Sequence, residues 1–183
     1  MPRLPTGRAL LDPFVILQKT FLAPKMCYID LGSGNLGHFV FAAARIAGEE
    51  GCIYAVDILK SALSSIQRRA QFESIHTIIP VWADLERERE LDIPLNSAYV
   101  LSLINMSWIL KHRPKLLFEI KRILKNNGQL LIVDWKKHLP GLSSHTKEHL
   151  SEDEILKIVE TAGFKKQDQF LAGPYHFGIL FQK

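Results

Sequence analysis

The chain has 183 residues, 47% of them hydrophobic and 23% charged, with a formal net charge of +4. That length suits a single domain, residues 1–183, with a core of ordinary size, and the composition excludes a disordered chain. No apolar run reaches the ~18 residues of a membrane helix, the opening "MPRLPTGRAL" lacks a signal peptide's apolar segment, and no block of like charge points to nucleic acid.

The chain opens with a loose arm rich in proline and leads into a short helix, "DPFVILQKTF"; arm and helix together occupy residues 1–24. Asp12 can cap this helix, Pro13 suits its first position because a missing N–H costs nothing there, and Pro24 ends it. Phe14, Val15, Leu17 and Phe21 make it amphipathic, so it packs on the sheet or lids a ligand; lying on a membrane is a lesser alternative. "KMCYIDL" follows as an apolar strand, and after a glycine loop "LGHFVFAAARIA" is a helix closed by Gly48. "GCIYAVD" reads as a second strand, and "SALSSIQRRAQ" as a helix with Leu63, Ile66 and Ala70 on one face. The third strand, "IHTIIPVW", carries Pro80, which points to a sheet edge.

"DLERERELDIP" is expected to cross the surface before a fourth strand, "AYVLSLIN". "KLLFEIKRIL" is then a helix stopped by Asn126, Asn127 and Gly128, and "QLLIVDW" a fifth strand. A loop, "KKHLPGLSSHTKEH", leads to a last helix whose "SEDE" start makes a capping box of Ser151 and Glu154, with Leu150 and Ile155 as a hydrophobic staple; Gly163 closes it. The tail, "FKKQDQFL" and "YHFGILFQ" around "AGP", reads as an antiparallel hairpin. Strands alternating with helices predict a parallel sheet wound by right-handed crossovers, with one final strand reversed.

Two cysteines, Cys27 and Cys52, fall in strands without metal-ligand spacing; they read as buried thiols and fit a reducing, cytoplasmic setting. His145 and His149, four apart, lack a third ligand and read as solvated loop histidines, so no metal is expected.

Gly32, Gly34 and Gly37 match G-x-G-x-x-G between a strand and a helix. Such a loop lets a ligand approach the backbone and offers it free N–H groups, although a tight turn needs glycine for structural reasons as well. Asp57, at the end of the second strand, stands where a carboxylate can accept both ribose hydroxyls of a nucleoside; capping the next helix is its structural alternative. Asp30 lies in an apolar strand just before the loop. A dinucleotide site keeps that position apolar, because diphosphate is already anionic. A carboxylate there suits a cationic ligand such as S-adenosylmethionine, which carries an ammonium and a sulfonium. Asp30 and the terminal hairpin therefore argue against a nicotinamide-dependent oxidoreductase.

"YIDLGSGNLG", "IYAVD", "WADLE", "LINMSW", "RILKNNGQLLIVDWKK" and "GPYHFG" together resemble the class I, Rossmann-like, S-adenosylmethionine-dependent methyltransferases. The chain is similar to the quinone-biosynthesis-type, small-molecule branch, from about the first helix to the end. The resemblance implies a three-layer α/β sandwich with a seven-stranded, mostly parallel sheet and a C-terminal antiparallel strand. It implies that Asp30, Gly32, Ser33, Gly34, Asn35 and Gly37 wrap the methionine part. It further implies that Asp57 holds the ribose, Ile58 packs on adenine, Asp84 sits near the adenine amino group and Asn105 lines the methionine side. Two departures stand out. Leu36 occupies the third-glycine position, with Gly37 one residue later, as if one residue were inserted into the methionine pocket. Ala98 stands where many relatives carry an acid.

Methyl transfer from a sulfonium is an in-line displacement, for which alignment alone can supply roughly 7–11 kcal/mol. A base is needed only when the acceptor must lose a proton. His176 is the candidate base and Tyr175 its hydrogen-bonding partner, because the reversed strand begins at the ligand-binding edge; the plainer reading makes them hairpin-end residues. No N-P-P-Y tetrad follows the fourth strand and no basic stripe is interleaved with aromatics, which argues against a nucleic-acid substrate. The expected activity is methyl transfer to a small-molecule acceptor, with a non-catalytic, methyltransferase-like binding module as the alternative.

Overall fold

The computed structural model describes residues 11–87, 91–136 and 150–183. The expected N-terminal arm and, apart from Lys136, the loop carrying His145 and His149 lie outside these residues.

Helix α1 (Pro13–Leu17) starts as its sequence dictates, with the Asp12 carboxylate accepting the Phe14 and Val15 amide protons. Strand β1 (Cys27–Leu31), α2 (His38–Ala47), β2 (Cys52–Asp57), α3 (Lys60–Phe72) and β3 (Ile78–Trp82) follow as alternating units. Strand β4 (Ala98–Ile104) precedes two helices, α4 (Trp108–His112) and α5 (Leu116–Ile123). The chain then runs through β5 (Leu124–Trp135), α6 (Glu152–Thr161), β6 (Lys165–Leu171) and β7 (His176–Gln182).

The seven strands form one sheet in the order β3-β2-β1-β4-β5-β7-β6. Pairings from β3 through β5 are parallel, and β7 runs antiparallel to both β5 and β6. The seven-stranded, mostly parallel sheet with one reversed strand is the architecture the sequence predicts. Pro80 sits on edge strand β3, where its missing donor interrupts no ladder.

Each face of the sheet carries its own core. Ile16 and Leu17 of α1, the apolar side of α2, and Ile66 and Ala70 of α3 pack on one face with Tyr28, Ile53 and Val100. Ile109 and Leu110 of α4, Leu116 through Ile123 of α5, and Ile155 and Val159 of α6 cover the other face with Ile29, Leu101 and Ile132. Because strand side chains alternate, β1 feeds both cores from adjacent residues.

Two expectations need correction. The stretch Asn126 to Gly128 does not stop the helix before β5; α5 ends at Ile123, and these residues lie inside the span of β5. Ala98 pairs with Leu124 and Val100 with Gln129, so the β5 side carries extra residues at a bulge. The turn-forming sequence is used to loop the strand outward rather than to end a helix. Second, the stretch expected only to cross the surface buries Leu85, Leu91 and Ile93 in the α5-side core, and the Arg122 guanidinium donates to the Leu91 carbonyl at 3.0 Å. Helix α4 was not foreseen, since "NMSWIL" is too short to show a periodic stripe.

The capping box at α6 is complete: the Ser151 hydroxyl accepts the Glu154 N–H at 3.3 Å, and the Glu154 carboxylate accepts the Ser151 N–H at 2.8 Å. Leu150 and Ile155, the staple pair, are both buried. Replacing Ser151 with Ala should cost about 1 kcal/mol of stability, read as a lower urea midpoint at constant m-value, with cofactor affinity unchanged.

Candidate cofactor site at the strand ends

Parallel pairing sets Asp30 beside Ala55 of β2 on one side and Ser102 of β4 on the other. The Asp30 carboxyl is 3% exposed and accepts a hydrogen bond from the Ser102 hydroxyl at 2.7 Å. The Tyr28 phenol lies 2.5 Å from the same hydroxyl oxygen. With the serine proton committed to Asp30, the phenol is the donor, and a buried chain runs from Tyr28 through Ser102 to Asp30. Burial pushes the Asp30 carboxyl up to about 7; Ser102 opposes that rise and the nearby Asp57 charge adds to it. Burial also pushes the Tyr28 phenol upward, helped by the negative charge of Asp30.

The loop after β1 is fastened to β2. The Gly32 and Ser33 amides donate to the Val56 carbonyl at 2.8 and 3.0 Å, and the Ser33 hydroxyl donates to the Asp30 carbonyl at 3.0 Å. Asp57 accepts the Gly34 N–H through one oxygen at 2.8 Å and the Leu59 N–H through the other at 2.9 Å. Asp57 does not cap α3: Leu59 is the N-cap and no side chain caps that helix, so the bond to the Leu59 N–H fixes the turn that precedes it. Each carboxylate oxygen still has a second lone pair for a ligand hydroxyl.

The displaced third glycine has a packing explanation. Gly37 is the N-cap of α2 at φ 54°, and a Cβ there would lie 3.1 Å from Ile66 and 3.3 Å from the Phe41 ring. The additional residue, Leu36, projects to solvent at 62% exposure, while its carbonyl accepts from the Arg69 guanidinium at 3.1 Å. The insertion extends the loop outward, toward α3.

Two cavities flank Gly32. One, of about 250 Å³, is lined by Asp30, Gly32, Ser33, Asn105, His38, Phe39, Ile104, Leu11, Trp135 and His176. The other, of about 260 Å³, is lined by Asp57, Ile58, Ala83, Asp84, Leu85, Glu86, Met106, Trp108, Ile109 and again Gly32. Gly32 sits at φ 81°, a conformation that strains any residue with a side chain, and a Cβ there would lie 2.9 Å from the Met106 sulfur and displace the Met106 side chain that covers the loop.

Asn105 adopts φ 57°, and its buried side-chain Oδ1 has no hydrogen-bond partner among the described residues. An acceptor left orphaned in a cavity that also holds a carboxyl is suited to a cationic donor, and an ammonium is one. On the other side, half-exposed Ile58 offers an apolar surface, its carbonyl held by the Trp82 indole N–H at 2.8 Å. Asp84 accepts the Glu86 N–H and pairs with Arg87 at 3.0 Å. The residues present thus fit a ligand with a cationic end, a ribose and a flat base.

The two cavities gather Asp30, Gly32, Ser33, Asn105 and His176 on one side and Asp57, Ile58 and Asp84 on the other. Gly34 joins them through Asp57, whereas Asn35 and Gly37 line neither cavity. His176 is buried against Trp135, with ring centroids 4.0 Å apart. Tyr175 does not line the cavity, and its carbonyl accepts the Lys136 N–H at 2.9 Å. Sequence reasoning missed Ser102, Met106, Trp108 and His38. Ser102 had a signal, a lone hydroxyl inside an apolar strand; the others become site residues only through α4 and the turn into α2. Asp134, at the end of β5, is fully buried and accepts the Ser107 and Trp135 amides at 2.8 and 2.7 Å, holding the segment after β4 in place.

A reversed terminal strand, a glycine loop between β1 and α2, and acids at the ends of β1 and β2 define the class of α/β proteins that bind a nucleoside cofactor with a charged tail. Residues 22–170 match the family described as "Methyltransferase domain". The chain belongs to that family; it is an S-adenosylmethionine-dependent methyltransferase, and S-adenosylmethionine is its cofactor. The fold is similar to that of a SAM-dependent methyltransferase from Aquifex aeolicus, with a TM-score of 0.87 and 24% identity over 98% of this chain and 93% of that one. It is also similar to a protein from Sulfolobus solfataricus assigned as a type 11 methyltransferase, with a TM-score of 0.75 and 25% identity over 95% of this chain and 93% of that one. The cyclase SpnF shares the fold at a TM-score of 0.78 and 15% identity, over 93% of this chain and 79% of that one. No curated protein matches the sequence.

The native chain keeps the Asp30 proton up to about pH 7, whereas an unfolded aspartate releases it near pH 4. The native state therefore binds more protons across that window, and without cofactor stability falls as pH rises, by up to about 1.4 kcal/mol per pH unit. Urea unfolding at several pH values should show this slope for the wild type and its loss in Asp30→Asn; equal slopes would mean that Asp30 is already ionised in the acid range.

Proposed function

We propose that this methyltransferase acts on a small-molecule acceptor held on the Trp135 side of the cavity beyond the glycine loop. The observation that carries the reading is the cavity itself: Asp30 and the orphaned Asn105 oxygen share it with Trp135, His176, Phe39 and Ile104. Polar groups that suit the cofactor's methionine end thus open directly onto an apolar and aromatic compartment. A cavity of about 250 Å³ suits a small acceptor better than a polymer chain.

When bound, the cofactor supplies a methyl group on a positively charged sulfur, already activated for displacement. The chain's own residues hold and align. Asp30 and Asn105 would accept hydrogen bonds from the ammonium, and the glycine loop around Gly32, Ser33 and Gly34 would let that end approach the backbone. Asp57 would accept from the ribose hydroxyls with the lone pairs that Gly34 and Leu59 leave open. Ile58 would support one face of the adenine, and Asp84, lining the same cavity, would accept from its amino group. Asn35 and Gly37 shape the loop from outside the cavities.

His176 forms the acceptor-side wall against Trp135. For an acceptor that must lose a proton, its imidazole is the group placed to take it, while Tyr175 fixes the strand start through its carbonyl. The two cysteines are free thiols, which supports a reducing, cytoplasmic setting. No helix among the described residues is long and apolar enough to cross a membrane.

Titration calorimetry with S-adenosylmethionine tests the assignment. Asp57→Ala should weaken binding about 10-fold or more, the loss expected for hydrogen bonds to a charged group. Wild-type affinity should rise as pH increases through about 7, where Asp30 becomes ionised, with proton release on binding at lower pH. Asp30→Asn should remove that pH dependence. Binding that is indifferent to both substitutions would place the cofactor elsewhere. Release of S-adenosylhomocysteine in a panel of small phenols, amines and thiols would then identify the acceptor.

A further inference from the structure

Cys27 and Cys52 are the only cysteines in the chain, and the fold makes them neighbours. They are in-register partners at the first residues of β1 and β2. In-register residues of adjacent parallel strands point to the same face of the sheet, here the face covered by α4 to α6. Their in-register pairing brings the two thiols close enough for each to alter the other's ionisation. Neighbouring strands lie about 4.8 Å apart, which falls within the Cα separation of about 4.4–6.8 Å that a disulfide tolerates. Parallel side-chain vectors leave the Cβ atoms about 4.8 Å apart, just beyond the usual separation of about 3.5–4.5 Å, so the strands must draw together slightly and the bond would be strained and readily reduced.

The pair is asymmetric. Cys27 is buried, whereas Cys52, next to Gly51, is half-buried. The neighbouring Cys27 thiol pulls the Cys52 thiol below the ordinary thiol value, with the Tyr54 phenol contributing in the same direction against burial. The same contact and burial push Cys27 up, against the opposing pull of the Lys125 ammonium. A partly accessible thiolate beside a second, protonated thiol is the arrangement of an attacking and a resolving cysteine.

We propose that Cys27 and Cys52 form a peroxide-reactive dithiol that closes reversibly as a disulfide between β1 and β2. The Cys52 thiolate attacks one oxygen of hydrogen peroxide, the O–O bond breaks, and the departing hydroxide takes a proton to become water. Cys52 is then a sulfenic acid. The Cys27 sulfur attacks the Cys52 sulfur, the S–O bond breaks, and hydroxide leaves with the Cys27 proton as a second water. Two electrons pass from the two sulfurs to the peroxide, and a thiol reductant restores the pair. The site lies at the N-terminal ends of the strands whose opposite ends carry Asp30 and Asp57, so it is separate from the cofactor cavities.

The test is intact-mass analysis and thiol counting in denaturant after brief exposure of the purified full chain to hydrogen peroxide. The wild type should lose both thiols, lose the mass of two hydrogens, remain one chain without reductant, and recover on treatment with dithiothreitol. Cys27→Ser should instead give a sulfenic acid on Cys52 that dimedone traps, and Cys52→Ser should leave Cys27 a thiol under the same exposure. Persistence of both wild-type thiols, a disulfide between chains, or oxidation of Cys27 in Cys52→Ser at the wild-type rate would each overturn the proposal.

Discussion

The parallel pairing of β1 with β2 on one side and β4 on the other is the constraint on which the site depends. It carries the chain from three separate stretches of sequence to one edge of the sheet. There Asp30, Asp57 and Asn105 meet, although Asn105 is 75 positions beyond Asp30 in the sequence. Ligands on open α/β sheets occupy the crevice beyond the carboxyl ends of the strands, because loops there are free to vary while the strands hold their bases in place. Here β1 has strands on both sides, so the loop that follows it can be fastened to β2 through Val56 and Asp57.

The same pairing creates the main electrostatic cost. Asp30 stands in the buried part of β1, and the protein answers burial with a single strong donor, Ser102, backed by Tyr28. A carboxyl that keeps its proton near neutrality is less costly to bury than a carboxylate. It also remains able to ionise when a cation arrives. The resting fold and a cation held by Asp30, as proposed, would favour opposite protonation states, a local compromise of stability for function that strand interiors seldom accept.

Much of the fold was legible because its signals are local. Asp12 before Pro13, Ser151 with Glu154, and Pro80 on an edge strand each act within a few residues, and the structure uses each in the way its chemistry suggests. Misread elements involve a local signal overruled at a distance. The Asn126 to Gly128 stretch has turn chemistry, but Ala98 of β4 captures Leu124 before it, and the turn becomes a bulge within a longer strand. Leu85, Leu91 and Ile93 sit among charged residues, and only the α5 face nearby makes them core. Gly37 is explained by Ile66, far along the chain.

The candidate site divides in the same manner. By itself the sequence determined the residue types whose chemistry is intrinsic: glycines for a loop with positive φ, and two aspartates, one in an apolar strand and one at a strand end, to which the proposed reading gives a cationic ligand and a ribose. Tertiary structure decided which groups complete them. Ser102 becomes the partner of Asp30, Met106 comes to lie over Gly32, Asp134 holds the segment after β4, and His176 is set against Trp135 while Tyr175 stays outside the cavity lining. Cys27 and Cys52 become neighbours for the same reason. The physical cause is that backbone conformation and side-chain charge are properties of a residue and its near neighbours, whereas register between strands is set by the summed packing of two cores.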